Sequence, residues 1–405
     1  MAMKRLVLVG GGHAQLAVLR ALARTRPQGL ETVLVTPSPW QYYSGMLPGW
    51  MAGHYREEDC RIDLRPLADA AGARLLIGAA TALEADRRQL RFEQAPADGG
   101  GPADSLPYDL LSLDIGSETD TAALAGLAAG RLLAVRPLPA FFTAWPRVVD
   151  TARATAGFRL CVVGGGAAGV ELALAAAQAL RKHATTAQIA LVCPPAGLLD
   201  GHAEGVRRRV LRQLVAAGIT VHLQRAVGEA DGLRLVGSPA SHTLPPGGRL
   251  QAESCPQPDD RLLPADCVLA ATGARPQAWL RRSGLACTAA GWVRVDAHHR
   301  SLSHAEVFAA GDVCARTDRA LARSGVHAVH AGPILAANLL ATLDGRPPRA
   351  YVPKPRSLYL IACGPRYAIA SWGPWSAEGG WVWRWKDWID RGFIRRHRDA
   401  AAARR

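Results

Sequence analysis

Six small residues, Gly164-Gly165-Gly166-Ala167-Ala168-Gly169, sit between two apolar runs. Glycine at the first, third and sixth places suits the holding of a dinucleotide pyrophosphate. Gly164 permits a tight turn, Gly166 lets phosphates approach the backbone, and Gly169 lets helix and strand pack closely. A helix starting there offers free N–H groups and partial positive charge to the anion. A second loop lies near the N-terminus: Gly10-Gly11-Gly12-His13-Ala14-Gln15 keeps Gly10 and Gly12 but puts Gln15 in the third place. An acid at the end of the following strand would bind a ribose, yet the two copies offer Thr36 and Cys193 there. A hydroxyl at Thr36 can still reach a ribose. Nothing at Cys193 separates NADH from NADPH, and NADH is slightly favoured.

Each loop joins a short, continuously apolar run (RLVLV, RLCVV) to an apolar helix, then to a second strand, Thr32–Thr36 or Ala187–Cys193. Continuous apolarity predicts parallel strands buried on both faces. Leu106–Ser117, Leu263–Pro276 (with Gly273) and Leu302–Val313 (with Gly311 and Asp312) read as further strand–turn units. Pro/Gly-rich stretches at Gln94–Pro107 and Ser238–Asp260 read as hairpin loops or insertions. The expected fold class is α/β, with two Rossmann-like dinucleotide-binding domains and a C-terminal amphipathic helical tail. The expected boundaries are 1–120 plus 265–348 for a discontinuous first domain, which the resemblance described below makes FAD-binding, 121–264 for an inserted second domain, which it makes NAD(P)H-binding, and 349–405 for a C-terminal region.

Bulk properties narrow the class. The 405 residues carry a net charge of +14, and only four of the 48 basic residues are lysine. No nucleic-acid-binding module accompanies that charge, so nucleic acid is not an expected partner. The eight cysteines lie far apart and lack zinc spacing, so no metal site is expected. The N-terminus enters a strand directly, without the pattern of a signal peptide, and no run of 18 apolar residues is present. The expected location is cytoplasmic, or peripheral on the inner face of the membrane.

The two glycine loops, ATGARP (Ala271–Pro276) and VFAAGDV (Val307–Val313) together resemble the pyridine nucleotide–disulfide oxidoreductase superfamily, flavoproteins with two dinucleotide-binding domains. The resemblance implies FAD in the first unit, NAD(P)H in the second, and Asp312 on the ribityl chain of the flavin. The CxxxxC of the disulfide reductases is missing from Tyr42–Tyr55, so disulfide reduction is not expected. YSGMLPGWMAGHY, GGGHAQLAVLR and WKDWIDRGFIRRH are similar to type II NADH dehydrogenase-like flavoproteins, including a branch associated with selenophosphate synthetase. That likeness implies that Ser44, Gly45 and Pro48 pack against the isoalloxazine, and that Glu171 lies near the nicotinamide–flavin contact. The quinone segment of those enzymes, approximately AQxAxQQG, corresponds to Gly325–Gly332 here, where the glutamines are absent and His330 replaces one of them. A histidine could deliver protons to a quinone.

The function so implied is an FAD-dependent NAD(P)H dehydrogenase passing hydride from NADH to FAD and electrons on to an acceptor, with a quinone leading. Hydride transfer between the cofactors needs no protein acid or base. The expected partners are NAD(P)H, that acceptor, a peripheral membrane surface and a second copy of the chain. Two alternatives stand beside it: a sulfur- or selenium-compound oxidoreductase using Cys314 and Cys363, and a non-catalytic FAD-binding redox sensor. In the tail, a helical period of about 100° per residue places Trp381, Val382, Trp385, Trp388, Ile389 and Phe393 on one arc, with Asp387, Asp390, Arg391 and Arg398 opposite and Trp383 and Ile394 off the face. That aromatic arc is expected either to meet a membrane interface or to pack on the protein.

Overall fold

The computed structural model describes residues 3–94, 104–183, 185–237 and 260–402. Lys4–Val9 becomes a central strand because Leu6, Val7, Leu8 and Val9 are buried on both faces. It pairs in parallel with Leu30–Thr36 on one side and Leu110–Leu113 on the other. Val307–Ala309 and Ala73–Glu84 extend this parallel sheet, and the hairpin strands Gln89–Gln94 and Asp104–Pro107 complete its seven strands. The Gln94–Pro107 stretch therefore joins paired strands, although residues 95–103 lie outside the described residues.

The second glycine loop repeats the plan. Arg159–Val163 is flanked by Gln188–Cys193 and Cys267–Ala270 in a five-stranded parallel sheet. Leu132–Ala134 and Thr220–Leu223 form its edges. The expected boundary at 265 gave Cys267–Ala270 to the first domain, whereas the strand hydrogen-bonds within the second sheet. The repeat gives the reason: it is the counterpart of Leu110–Leu113, each lying beside the central strand of its own sheet. The short pair Glu118–Thr119 and Ala274–Arg275 carries the chain between the sheets. Most of the expected insertion at Ser238–Asp260 lies outside the described residues.

The helix Gly325–Leu343 is long and apolar enough, by length and composition, to cross a membrane, although no unbroken apolar run announced it. Here it packs on the first-loop helix His13–Thr25. A Cβ on Gly332 would crowd Ala14 and Ala17, and buried Asn338 bonds to His298 O and Arg349 O.

A three-stranded antiparallel sheet, Tyr359–Ala362, Ala368–Trp372 and Trp375–Gly379, leads into the C-terminal helix Gly380–Ala402. The buried face of this helix shares only Val382 and Phe393 with the aromatic arc expected from the sequence. Val382, Lys386, Asp390, Phe393, Ile394 and His397 are buried, while Trp381 and Trp388 are 49% and 67% exposed. Asp390 thus points into the protein, and Trp383 and Ile394, placed off the face, pack against the core. Hydrophobic periodicity misread the face because two buried positions carry charges that neutralise each other (Lys386 and Asp390). Ile394→Ala should cost roughly 2–5 kcal/mol by leaving a cavity, while Trp388→Ala should stay within about 0.5 kcal/mol; denaturant midpoints of the two variants check this.

Candidate functional site

In the second loop each glycine has a separate reason. Gly164 has φ +140°, and a Cβ there would strike Ala271 O. A Cβ on Gly169 would strike the carbonyl of Gly164, so helix and strand need both glycines for their own contact. A Cβ on Gly166 would meet nothing within 4 Å. Packing leaves Gly166 unexplained, and the open space lies at the N-terminus of the sixteen-residue helix Ala167–Lys182. That is the fit a pyrophosphate requires. Cys193 is buried beside Gly165, and burial pushes its thiol up to about 12.

The first loop uses the same turn differently. Gly10 has φ +87° and sits tight against Asp114 O, as Gly164 does against Ala271 O. The position corresponding to Gly166 is Gly12, and there the Asp114 carboxylate fills the space. It accepts the N–H groups of Ala14 at 2.7 Å and Gln15 at 3.1 Å, so the protein caps this helix itself. Gln15, in place of the third glycine, is buried and donates to Ser112 O at 2.8 Å. Burial raises Asp114 to about 7 despite those two bonds, with Asp312 adding repulsion. Sequence reasoning missed Asp114. The signal was LDIGS beside AATGA, an acid at one of two otherwise matching places.

Asp312 follows Gly311, whose φ is +74°, and its carboxylate pairs with Arg136 at 3.0 Å beside Ser117. Thr36 ends its strand buried, donating to Ser38 O at 3.2 Å. Gly273 accepts the Asp120 N–H at the crossover, and nothing crowds it. Ser44 and Gly45 lie on a short turn, and Pro48 is buried just beyond it.

Glu171 is the fifth residue of the second-loop helix and accepts the Ala362 N–H at 2.7 Å. Lys386 from the C-terminal helix donates to Gly45 O at 2.7 Å and to Asp390 at 2.8 Å. Burial raises Glu171 to about 7, with the Lys386 ammonium pulling the other way. Burial pulls Lys386 down, but Asp390 and Glu171 together hold it above its ordinary value. One buried cation thus faces two buried carboxylates, and the surplus acid keeps its proton near neutrality. Around this cluster Tyr43 stacks on Phe393 with centroids 4.5 Å apart, and His13 lies 5.5 Å from Tyr43. His13 Nε2 is fully covered without a partner in the described structure, and burial lowers the ring to about 4. Lys386, Asp390, Tyr43 and Phe393 were not expected at the site. The only lysine of the tail, four residues before an aspartate, was the available signal.

His330 lies elsewhere. It is exposed, lines a cavity with Tyr351 and Lys354, and burial followed by Lys354 lowers its pKa. No hydrogen bond or ring contact joins it to Glu171 among the described residues. Cys314 and Cys363 each bond to a nearby backbone carbonyl, and burial raises both thiols.

Residues 4–332 match the model of the pyridine nucleotide-disulphide oxidoreductase family. The chain belongs to that family. No curated protein matches it in sequence. Among solved structures, it is similar to NDH2 from Plasmodium falciparum in complex with NADH (13% identity, TM-score 0.77, covering 97% of this chain and 98% of that one). It is also similar to the sulfide:quinone oxidoreductase of Aquifex aeolicus (15% identity, TM-score 0.74, 98% and 92%) and to the water-forming NADH oxidase of Lactobacillus brevis (16% identity, TM-score 0.69, 91% and 75%). At these identities the likeness is one of fold. The family makes the chain an oxidoreductase of pyridine nucleotides.

Asp114 and Glu171 give this family member a pH signature. Their folded pKa values exceed those of the unfolded chain, so their protonated forms favour folding. Stability should fall as pH rises from about 4 to about 7, by at most about 1.4 kcal/mol per pH unit for each group. Denaturant midpoints across that range should decline in the wild type and flatten in Asp114→Asn and Glu171→Gln.

Proposed function

We propose that this family member is an FAD-dependent NAD(P)H dehydrogenase that passes electrons from NADH to a quinone. The observation that carries the reading is the buried Glu171–Lys386–Asp390 cluster, in which the ammonium bonded to the Gly45 turn and to Asp390 also feels the charge of Glu171 on the second-loop helix. Bound FAD would supply the redox chemistry, taking hydride from NADH and yielding electrons to the acceptor. The N–H groups around Gly12 and His13 would hold its pyrophosphate, and Asp312 its ribityl chain. Ser44, Gly45 and Pro48 would form the turn beside its ring. The open face of Gly166 suits the pyrophosphate of NAD(P)H, with NADH slightly favoured because no arginine directly follows Cys193.

Glu171 is then the proton-holding group of the site. A carboxyl with a pKa of about 7 can give and regain a proton at neutral pH, and quinone reduction consumes two. Lys386 tunes it, since removing the ammonium removes the pull that lowers Glu171. In Lys386→Gln the pH at which kcat falls should therefore move upward. Glu171→Gln should abolish that pH dependence while retaining the yellow flavin colour. An unchanged profile in both variants would remove the cluster from the mechanism. The sulfur reading draws no support from Cys314 and Cys363, whose thiols stay protonated at neutral pH.

Contact with a membrane surface is part of the proposal. The stacked Trp381 and Trp385, with exposed Trp388, Trp372 and Trp375, give the C-terminal region an aromatic exterior beside arginines. Trp381→Ser combined with Trp388→Ser should abolish co-flotation with anionic vesicles and leave the fold intact; undiminished flotation would contradict the assignment.

A further inference from the structure

Beside the helix Gly325–Leu343 lies a cavity of about 620 Å³ that the cluster around Glu171 does not line. Its walls include Tyr351, Leu358 and Trp372, which offer flat apolar surface. Lys354 and Arg356 stand at its edge, and neither has an ion-pair partner among the described residues. No acid lines it. The helix Gly325–Leu343 begins at its wall, so the partial positive charge of a nineteen-residue helix adds to the two cations. The Arg356 side chain passes over the turn at Gly373, where a Cβ would meet its Cδ at 3.1 Å and Nε at 3.2 Å.

His327 and Tyr351 line this cavity and also a smaller one of about 210 Å³ that contains Gly311 and Asp312. A molecule in the large cavity is therefore a neighbour of the Asp312 turn. An uncharged lipid quinone gains nothing from two unpaired cations. A planar ring carrying a carboxylate or sulfonate gains both the aromatic wall and the charge.

We propose that this cavity binds a planar aromatic acid, and that the electron acceptor of this protein is a quinone bearing such an acidic group. The acceptor role rests on the dehydrogenase reading above; the binding site does not. The transfer balances as NADH, one proton and quinone giving NAD+ and hydroquinone. His327 and His330 line the cavity as imidazoles able to hydrogen-bond the incoming ring.

The site is tested without redox chemistry by titrating the full-length protein with 2-naphthalenesulfonate, 2-naphthalenemethanol and inorganic phosphate, reading tryptophan fluorescence and heat. The sulfonate should bind at least tenfold more tightly than the alcohol. Raising KCl from about 0.05 to about 0.5 M should erase most of that preference through screening. Lys354→Gln combined with Arg356→Gln, both exposed and so not expected to disturb folding, should remove it. Equal binding of sulfonate and alcohol, or a preference that survives in the double variant, would overturn the site. Phosphate binding as tightly as the sulfonate would overturn its aromatic character. The acceptor role is read separately from turnover. 1,4-Naphthoquinone-2-sulfonate should show a KM at least tenfold below that of 1,4-naphthoquinone, and the double variant should equalise them. Equal KM values in the wild type would overturn the acceptor assignment while leaving the site, and absence of NADH oxidation with any quinone would count against the dehydrogenase reading instead.

Discussion

One buried ammonium organises this protein. Lys386 reaches from the C-terminal helix to the carbonyl of Gly45 and to Asp390, with Glu171 close enough to hold its charge. Taking a lysine out of water costs several kcal/mol unless opposite charge and hydrogen bonds replace its hydration, and each contact here comes from a different part of the chain. The turn belongs to the first nucleotide unit, Glu171 to the second, and Asp390 to the tail. Removing Asp390 takes away the carboxylate bonded to the ammonium, and removing Lys386 leaves two buried acids without their cation, so three segments are held to one geometry. The C-terminal helix is therefore tied to the Gly45 turn of the first unit rather than being an appendage.

The two glycine loops show how one backbone plan yields two electrostatic outcomes. Both begin with a positive-φ glycine jammed against the carbonyl of the adjacent strand–turn unit. In the second loop the next unit supplies Ala271 and the helix end stays open. In the first it supplies Asp114, which caps the helix with a carboxyl that burial raises to about 7, so that a large share of it is protonated at neutral pH. A neutral acid can share that helix end with a phosphate where a full negative charge would repel it.

The doubly wound fold was legible because its signals are local. Buried parallel strands are continuously apolar, and glycines mark where strand meets helix, as at Gly10 and Gly164. The strand Cys267–Ala270 was assigned to the wrong side of the boundary because a crossover leaves no compositional mark. The tail was harder. Hydrophobic periodicity assumes that buried faces are apolar, and the inner face of Gly380–Ala402 carries Lys386 and Asp390 instead. Glu171 was singled out through its place after a glycine loop. Its partners were not, because residues some 200 positions away along the chain meet only in three dimensions.

The most direct measurement is anaerobic rapid mixing of the purified yellow protein with NADH, followed by flavin absorbance, in the wild type and in Lys386→Gln. The account predicts bleaching in the wild type. In the variant it predicts retained flavin, with colour recovery on quinone addition displaced to higher pH. A protein that binds no FAD, or flavin that NADH leaves unbleached, would contradict it.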